Sequence, residues 1–106
     1  MPDPISPRLT SVAPTLEIVW FVEATYAPDA AETRAPFRAE HVARAAALKA
    51  AGTYVEVGAF LDVSSSILLV RAESEAEALD VVRGDVYMAN GIWVELGARP
   101  FGRVAD

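Results

Sequence analysis

Within these 106 residues one side chain has an ordinary titration range near neutral pH: His41, the lone histidine. An imidazole can take up or give back a proton under physiological conditions, so His41 is the natural general base or acid. Arg38 stands one helical turn before it, where a guanidinium can hold an anionic group such as a carboxylate. Other chemistries lack their parts. The chain has no cysteine, which rules out disulfides, thiolate catalysis and zinc–thiolate sites. A single histidine forms no H-x-x-x-H pair, so no metal is expected. There is no glycine-rich phosphate loop, and no nucleotide or other cofactor is expected. Ser64, Ser65 and Ser66 lie in or beside a hairpin loop, without the nucleophile elbow that a Ser-His-Asp triad would need. Each candidate also has a plainer reading. His41 can be a satisfied, semi-buried structural histidine, and Arg38 an exposed arginine bridging to an acid.

Several elements must position these residues. Pro36 suits the first turn of a helix, where its missing N–H is not needed. That helix is predicted to run to about Ala51, with Gly52 as the C′ residue. Phe37, His41, Ala45 and Leu48 recur at helical spacing and form its buried stripe, which puts His41 toward a sheet. Arg38, Arg44 and Lys49 lie off that stripe. A first strand over Leu16–Ala24 is apolar on both faces at its middle, with Trp20 and Val22 on one side and Val19 and Phe21 on the other. Thr25–Arg34 reads as a loop. Thr53–Val57, ending at Gly58, and Ser66–Ala72 are two more strands around a hairpin loop at Asp62–Ser65. Ser74-Glu-Ala-Glu77 matches a capping box, opening a helix that stops at Gly84. Asp85–Gly91 reads as a turn-rich connection, and Ile92–Leu96 opens a last strand that runs on toward Pro100 and Phe101. Trp20, Phe21, Tyr54 and Trp93 are assigned to the core or to a subunit face.

The order is β-α-β-β-α-β, which predicts an α+β, ferredoxin-like antiparallel sheet of four strands with two helices on one face. Residues 1–15, rich in proline, are expected to form a flexible tail, and 16–106 one domain. The helix-free face would be left apolar and bare, so the chain is expected to pair with itself through that face.

The segment Arg38-Ala-Glu-His41 resembles the Arg-Pro-x-His stretch of the YCII-related family of dimeric α+β barrel proteins, with Ala39 in the proline position. Gly58 is similar to the glycine of a Gly-Pro pair after the second strand, here followed by Ala59. Asp85 and Tyr87 resemble an Asp-Pro-Tyr motif after the second helix, with Val86 between them. Gly91 and the closing Arg99-Pro-Phe101 are similar as well, and the likeness spans roughly residues 16 to 104, a whole domain. The resemblance implies that His41 and Asp85 meet in a cleft between sheet and helices and act as a catalytic pair. Asp85 would orient the ring and stabilise its protonated form. Arg38, Tyr87 and Gly58 are then the candidate substrate-binding residues. Tyr87 either donates a hydrogen bond into the cleft or packs with its hydroxyl wet.

The formal net charge of −6 argues against nucleic acid and against anionic membrane surfaces. No apolar run approaches the roughly twenty residues that span a bilayer. The Pro-rich start does not read as a signal peptide, so a cytoplasmic location is expected. Taken together, the expectation is a cofactor-independent enzyme that moves a proton on a small organic substrate, of isomerase, lyase, dehalogenase or cyclase type. The alternative is a non-catalytic small-molecule-binding or dimeric interaction module.

Overall fold

A computed structural model of the protein describes residues 15–105. The tail expected at 1–15 therefore lies, apart from Thr15, outside the described residues. Strand β1 (Leu16–Tyr26) leads through a short helix α1 (Ala30–Thr33) and a 3-10 turn (Ala35–Phe37) into helix α2 (Arg38–Ala50). Strands β2 (Tyr54–Ala59) and β3 (Ser65–Val70) form a hairpin. Helix α3 (Glu75–Arg83), a single-turn helix α4 (Val86–Ala89) and strand β4 (Trp93–Val104) complete the domain. The sheet runs β2-β3-β1-β4 with antiparallel neighbours throughout. This is the expected α+β, ferredoxin-like arrangement, with the helices on one face.

Strand alternation decides which residues meet the helices. Val22, Ala24 and Tyr26 of β1 join Leu68 and Val70 of β3, Tyr54 of β2 and Trp93 of β4. They pack against Ala45 of α2 and Ala78 and Val82 of α3 to form the core. The opposite face carries Phe21, Leu69 and Phe101, and the rings of Phe21 and Phe101 lie 6.3 Å apart. Leu16 and Ile18 share the helix side of β1 yet are each 65% exposed; they lie where β1 and β4 pair beyond the reach of β3.

Several local features differ from the sequence reading, among them the strands expected at 53–57 and 66–72, which form at Tyr54–Ala59 and Ser65–Val70. β1 continues to Tyr26, which still pairs with Trp93 beyond a register shift. The stretch read as a loop holds α1, a single turn anchored by buried Ala30. Pro36 sits in the 3-10 turn, and the α-helix proper begins only at Arg38. The Asp85–Gly91 connection contains α4, started by the Asp85 side chain, which accepts a hydrogen bond from the Tyr87 N–H. A four-residue helix is too short to leave a periodic pattern. Two punctuation marks hold. Gly52 ends the α2 segment at φ +83°, a conformation only glycine adopts freely. Ser74 caps α3 by accepting from the Glu77 N–H at 3.1 Å.

Candidate functional site

Asp85 occupies the corner between α3 and α4 and is 1% exposed. Its Oδ1 accepts from the Tyr87 backbone N–H at 2.8 Å. Both carboxylate oxygens also lie close to Nδ1 of His41, at 3.0 and 2.9 Å. A carboxylate only accepts, so Nδ1 carries the proton and donates it. The tautomer is thereby chosen, and Nε2 is left as the acceptor nitrogen of the neutral ring. Nε2 makes no hydrogen bond among the described residues.

Arg44 completes the charge arrangement. Its Nη1 lies 3.8 Å from Asp85 Oδ2 and donates to the Tyr54 hydroxyl at 3.2 Å, while Nη2 donates to the Val81 carbonyl at 2.6 Å. The sequence reading placed Arg44 off the buried stripe. It instead stands three residues after His41, on the same side of α2 and half-buried. Gly84 makes room for it: a Cβ there would come 2.7 Å from Arg44 Nη2. The glycine read as a helix stop is thus also a spacer, with an ordinary helical φ of −73°. Burial pushes the Tyr54 hydroxyl above its usual range, against the opposing pull of Arg44.

Rings hold the imidazole from two directions. Tyr87 stacks on His41 with centroids 3.8 Å apart and planes 9° from parallel. Trp93 meets the His41 ring edge-to-face at 5.2 Å and 88°. Trp93 Nε1 is buried with no hydrogen-bond partner among the described residues, so packing rather than a polar contact places this indole. Tyr87 is 1% exposed. Burial raises the titration of its hydroxyl first and foremost, with Tyr26 adding and Arg34 and Arg38 opposing.

His41 opens onto a cleft of about 300 Å³ whose walls include Tyr26, Arg34, Arg38, Gly58 and Tyr87. Four of the five residues singled out from sequence therefore border one space, and the fifth, Asp85, lies behind His41. Gly58 contributes open room, since a Cβ on it would meet nothing within 4 Å. Tyr26, Arg34 and Ser66 were not anticipated. Tyr26 and Arg34 fell in a segment read as loop, and Ser66 Oγ is bonded to the Tyr26 hydroxyl at 3.0 Å. No serine of the Ser64–Ser66 run is bonded to His41; Ser65 Oγ donates to Glu23 at 2.9 Å. Among the described residues, no three His, Cys, Asp or Glu side chains cluster in a way that could hold a metal ion. No helix among them is long and apolar enough to cross a membrane.

The YCII-related domain family matches the chain over residues 18–101, and the chain belongs to that family. No curated protein matches it. Among solved structures, it is similar to 5-chloro-2-hydroxyhydroquinone dehydrochlorinase from Burkholderia phenoliruptrix AC1100, solved with 2,5-dihydroxybenzoquinone. The two superpose with a TM-score of 0.66 over 76% of this chain and 90% of that one, at 22% identity. At that identity the likeness establishes the fold.

Proposed function

We propose that the protein is a cofactor-independent enzyme in which His41 Nε2 exchanges a proton with a small organic substrate bound in the cleft. The observation that carries this reading is the buried Asp85 carboxylate on Nδ1, which leaves Nε2 unbonded in a ring that borders the cleft. The substrate's C–H or O–H proton passes to Nε2, and the electron pair stays on the substrate. In an isomerisation the proton returns at a different atom; in an elimination the pair expels a leaving group such as halide. Asp85 orients the ring and stabilises the imidazolium formed in between. The naming of the structural neighbour as a dehydrochlorinase supports the eliminating form. Tyr87, Arg38 and Gly58 take part in binding: Tyr87 with a hydroxyl unbonded among the described residues, Arg38 with its charge, and Gly58 with space.

The same reading includes a homodimer through the helix-free face, where Phe21, Ile67, Leu69 and Phe101 form an apolar hollow of about 310 Å³. Light scattering at micromolar concentration is expected to give twice the chain mass, and Leu69→Lys to give the monomer. A wild-type monomer would remove the dimer from the account.

The catalytic reading is tested with a panel of halogenated hydroxyaromatics and enolisable acids in deuterated water. Halide release and deuterium incorporation are the readouts. Turnover is expected in the wild type, and His41→Gln should cut it by about a hundredfold or more. Binding without product, unchanged in His41→Gln, would favour a binding module using the same cleft.

A further inference from the structure

Arg34 and Arg38 stand apart from most arginines of this chain. Arg44, Arg71, Arg83 and Arg103 each lie within ion-pair distance of a carboxylate. Arg34 and Arg38 have no carboxylate partner among the described residues, although the chain carries 15 acidic side chains against 9 lysines and arginines. Both border the His41 cleft, whose walls include no Asp or Glu. Its one other basic wall residue besides the histidine, Lys49, is bonded to Glu56 at 2.9 Å.

Their placement is built into the fold. Arg34 closes α1 and opens the 3-10 turn, and its guanidinium sits over the Tyr26 ring at 5.8 Å. Arg38 begins α2, one turn before His41. The charges of both reach the Tyr87 hydroxyl, where they oppose the upward push of burial. Two cations and the residue that carries an unbonded hydroxyl therefore line one small cleft, which the His41 ring also borders.

We propose that this cleft selects a small organic oxyanion, of carboxylate or enolate type, whose charge is held by Arg34 and Arg38 together. This rests on the reading that the cleft is the substrate site, and it names the substrate class. Two guanidinium forks match a planar oxyanion in a way that a neutral group of the same shape cannot reproduce. When His41 takes a proton from such a molecule, the same two cations face the charge that builds on oxygen. The cleft volume sits at the low end for ligand sites, which suits an anion of about one ring.

The test uses the full chain with benzoate and its neutral isostere benzamide, followed by amide chemical shifts at constant ionic strength. Benzoate is expected to move the signals of Gly58, Ala59 and Ser66, and benzamide to bind at least about tenfold more weakly. Arg34→Gln and Arg38→Gln should each weaken benzoate by about tenfold. Neither change breaks an ion pair among the described residues, so both variants should fold, and their spectra show whether they do. Equal affinity for benzoate and benzamide, no binding of benzoate, or full benzoate affinity in the double variant would overturn the proposal. None of these readouts involves turnover. Failure here leaves proton transfer by His41 standing, and a silent activity panel leaves anion binding measurable, including in His41→Gln.

Discussion

Two carboxylates on opposite sides of the sheet, Asp85 and Glu17, are each held by two basic side chains, Asp85 by His41 and Arg44 and Glu17 by Arg71 and Arg103. Glu17 accepts from Arg71 Nε at 2.6 Å and from Arg103 Nη1 at 2.7 Å. Those bonds, Arg71 first, hold its carboxyl down at about 2. By contact geometry alone, Glu17 is the tighter cluster. The difference is water and what the partner has left over. The Glu17 side chain is 31% exposed, so solvent screens its pairs and can replace them. Asp85 is shut away from solvent, and its main partner keeps a second ring nitrogen unbonded among the described residues in a ring that borders a cleft. A short ion pair therefore does not by itself mark a reactive site. Burial of one member and an unused acceptor nitrogen on the other are what set the proposed site apart.

The largest separation of the two is expected on deletion. Asp85→Ala strips a buried acceptor from His41, from Arg44 and from the Tyr87 N–H, and should cost roughly 3 kcal/mol or more. For a domain of this size that is about 10 °C or more in melting temperature. Glu17→Gln is expected to lower the neutral-pH melt far less, only by the small part of the acid limb that this solvent-screened carboxylate supplies. Equal losses in calorimetry would erase the distinction between the two faces.

A smaller effect belongs to the spacer. Gly84→Ala brings a methyl to 2.7 Å from Arg44 Nη2. The guanidinium must then leave the Val81 carbonyl or the Tyr54 hydroxyl, at a cost of about 1 kcal/mol. A melt unchanged from wild type would mean that Arg44 is not held as described.

The smallest effect sharpens the exposed side. The Glu17 carboxyl is lowered from its ordinary 4.5 to about 2 in the folded chain. Its contribution to stability is present above pH 4.5 and is lost as pH falls from there toward about 2. Glu56, held by Lys49, and Asp62, held by Ser64, are lowered as well and share this acid limb. Glu17→Gln should flatten the fall of melting temperature over that window without abolishing it. An identical limb in the variant would contradict the assignment.

The architecture was readable because each long element carries a repeated signal. The stripe from Phe37 to Leu48, the Ser74–Glu77 cap and the two-sided apolar strands all describe elements that do exist. His41 was readable as the lone imidazole on a sheet-facing stripe, and Asp85 through its place in a family pattern. Arg44 was hidden because an arginine at i+3 from His41 reads as a solvated face until a buried acid is known to lie beside it. Tyr26 was hidden because β1 runs two residues past its apolar stretch, and Arg34 because α1 is a single turn in a segment that proline and aspartate mark as loop. These misses share one cause: each residue gains its role from a partner far away in sequence, and periodicity reports only on neighbours.

The state of the His41 ring tests the central claim most directly. Because the chain has one histidine, a long-range proton–nitrogen correlation of labelled protein gives one pair of ring-nitrogen signals. At a pH where the imidazole is neutral, the Asp85 contact predicts the proton on Nδ1 and a bare, pyridine-type Nε2. Asp85→Asn should lose that preference. A wild-type ring protonated on Nε2, or a pattern unchanged in Asp85→Asn, would contradict the pairing and with it the assignment of His41 as the proton-transfer group.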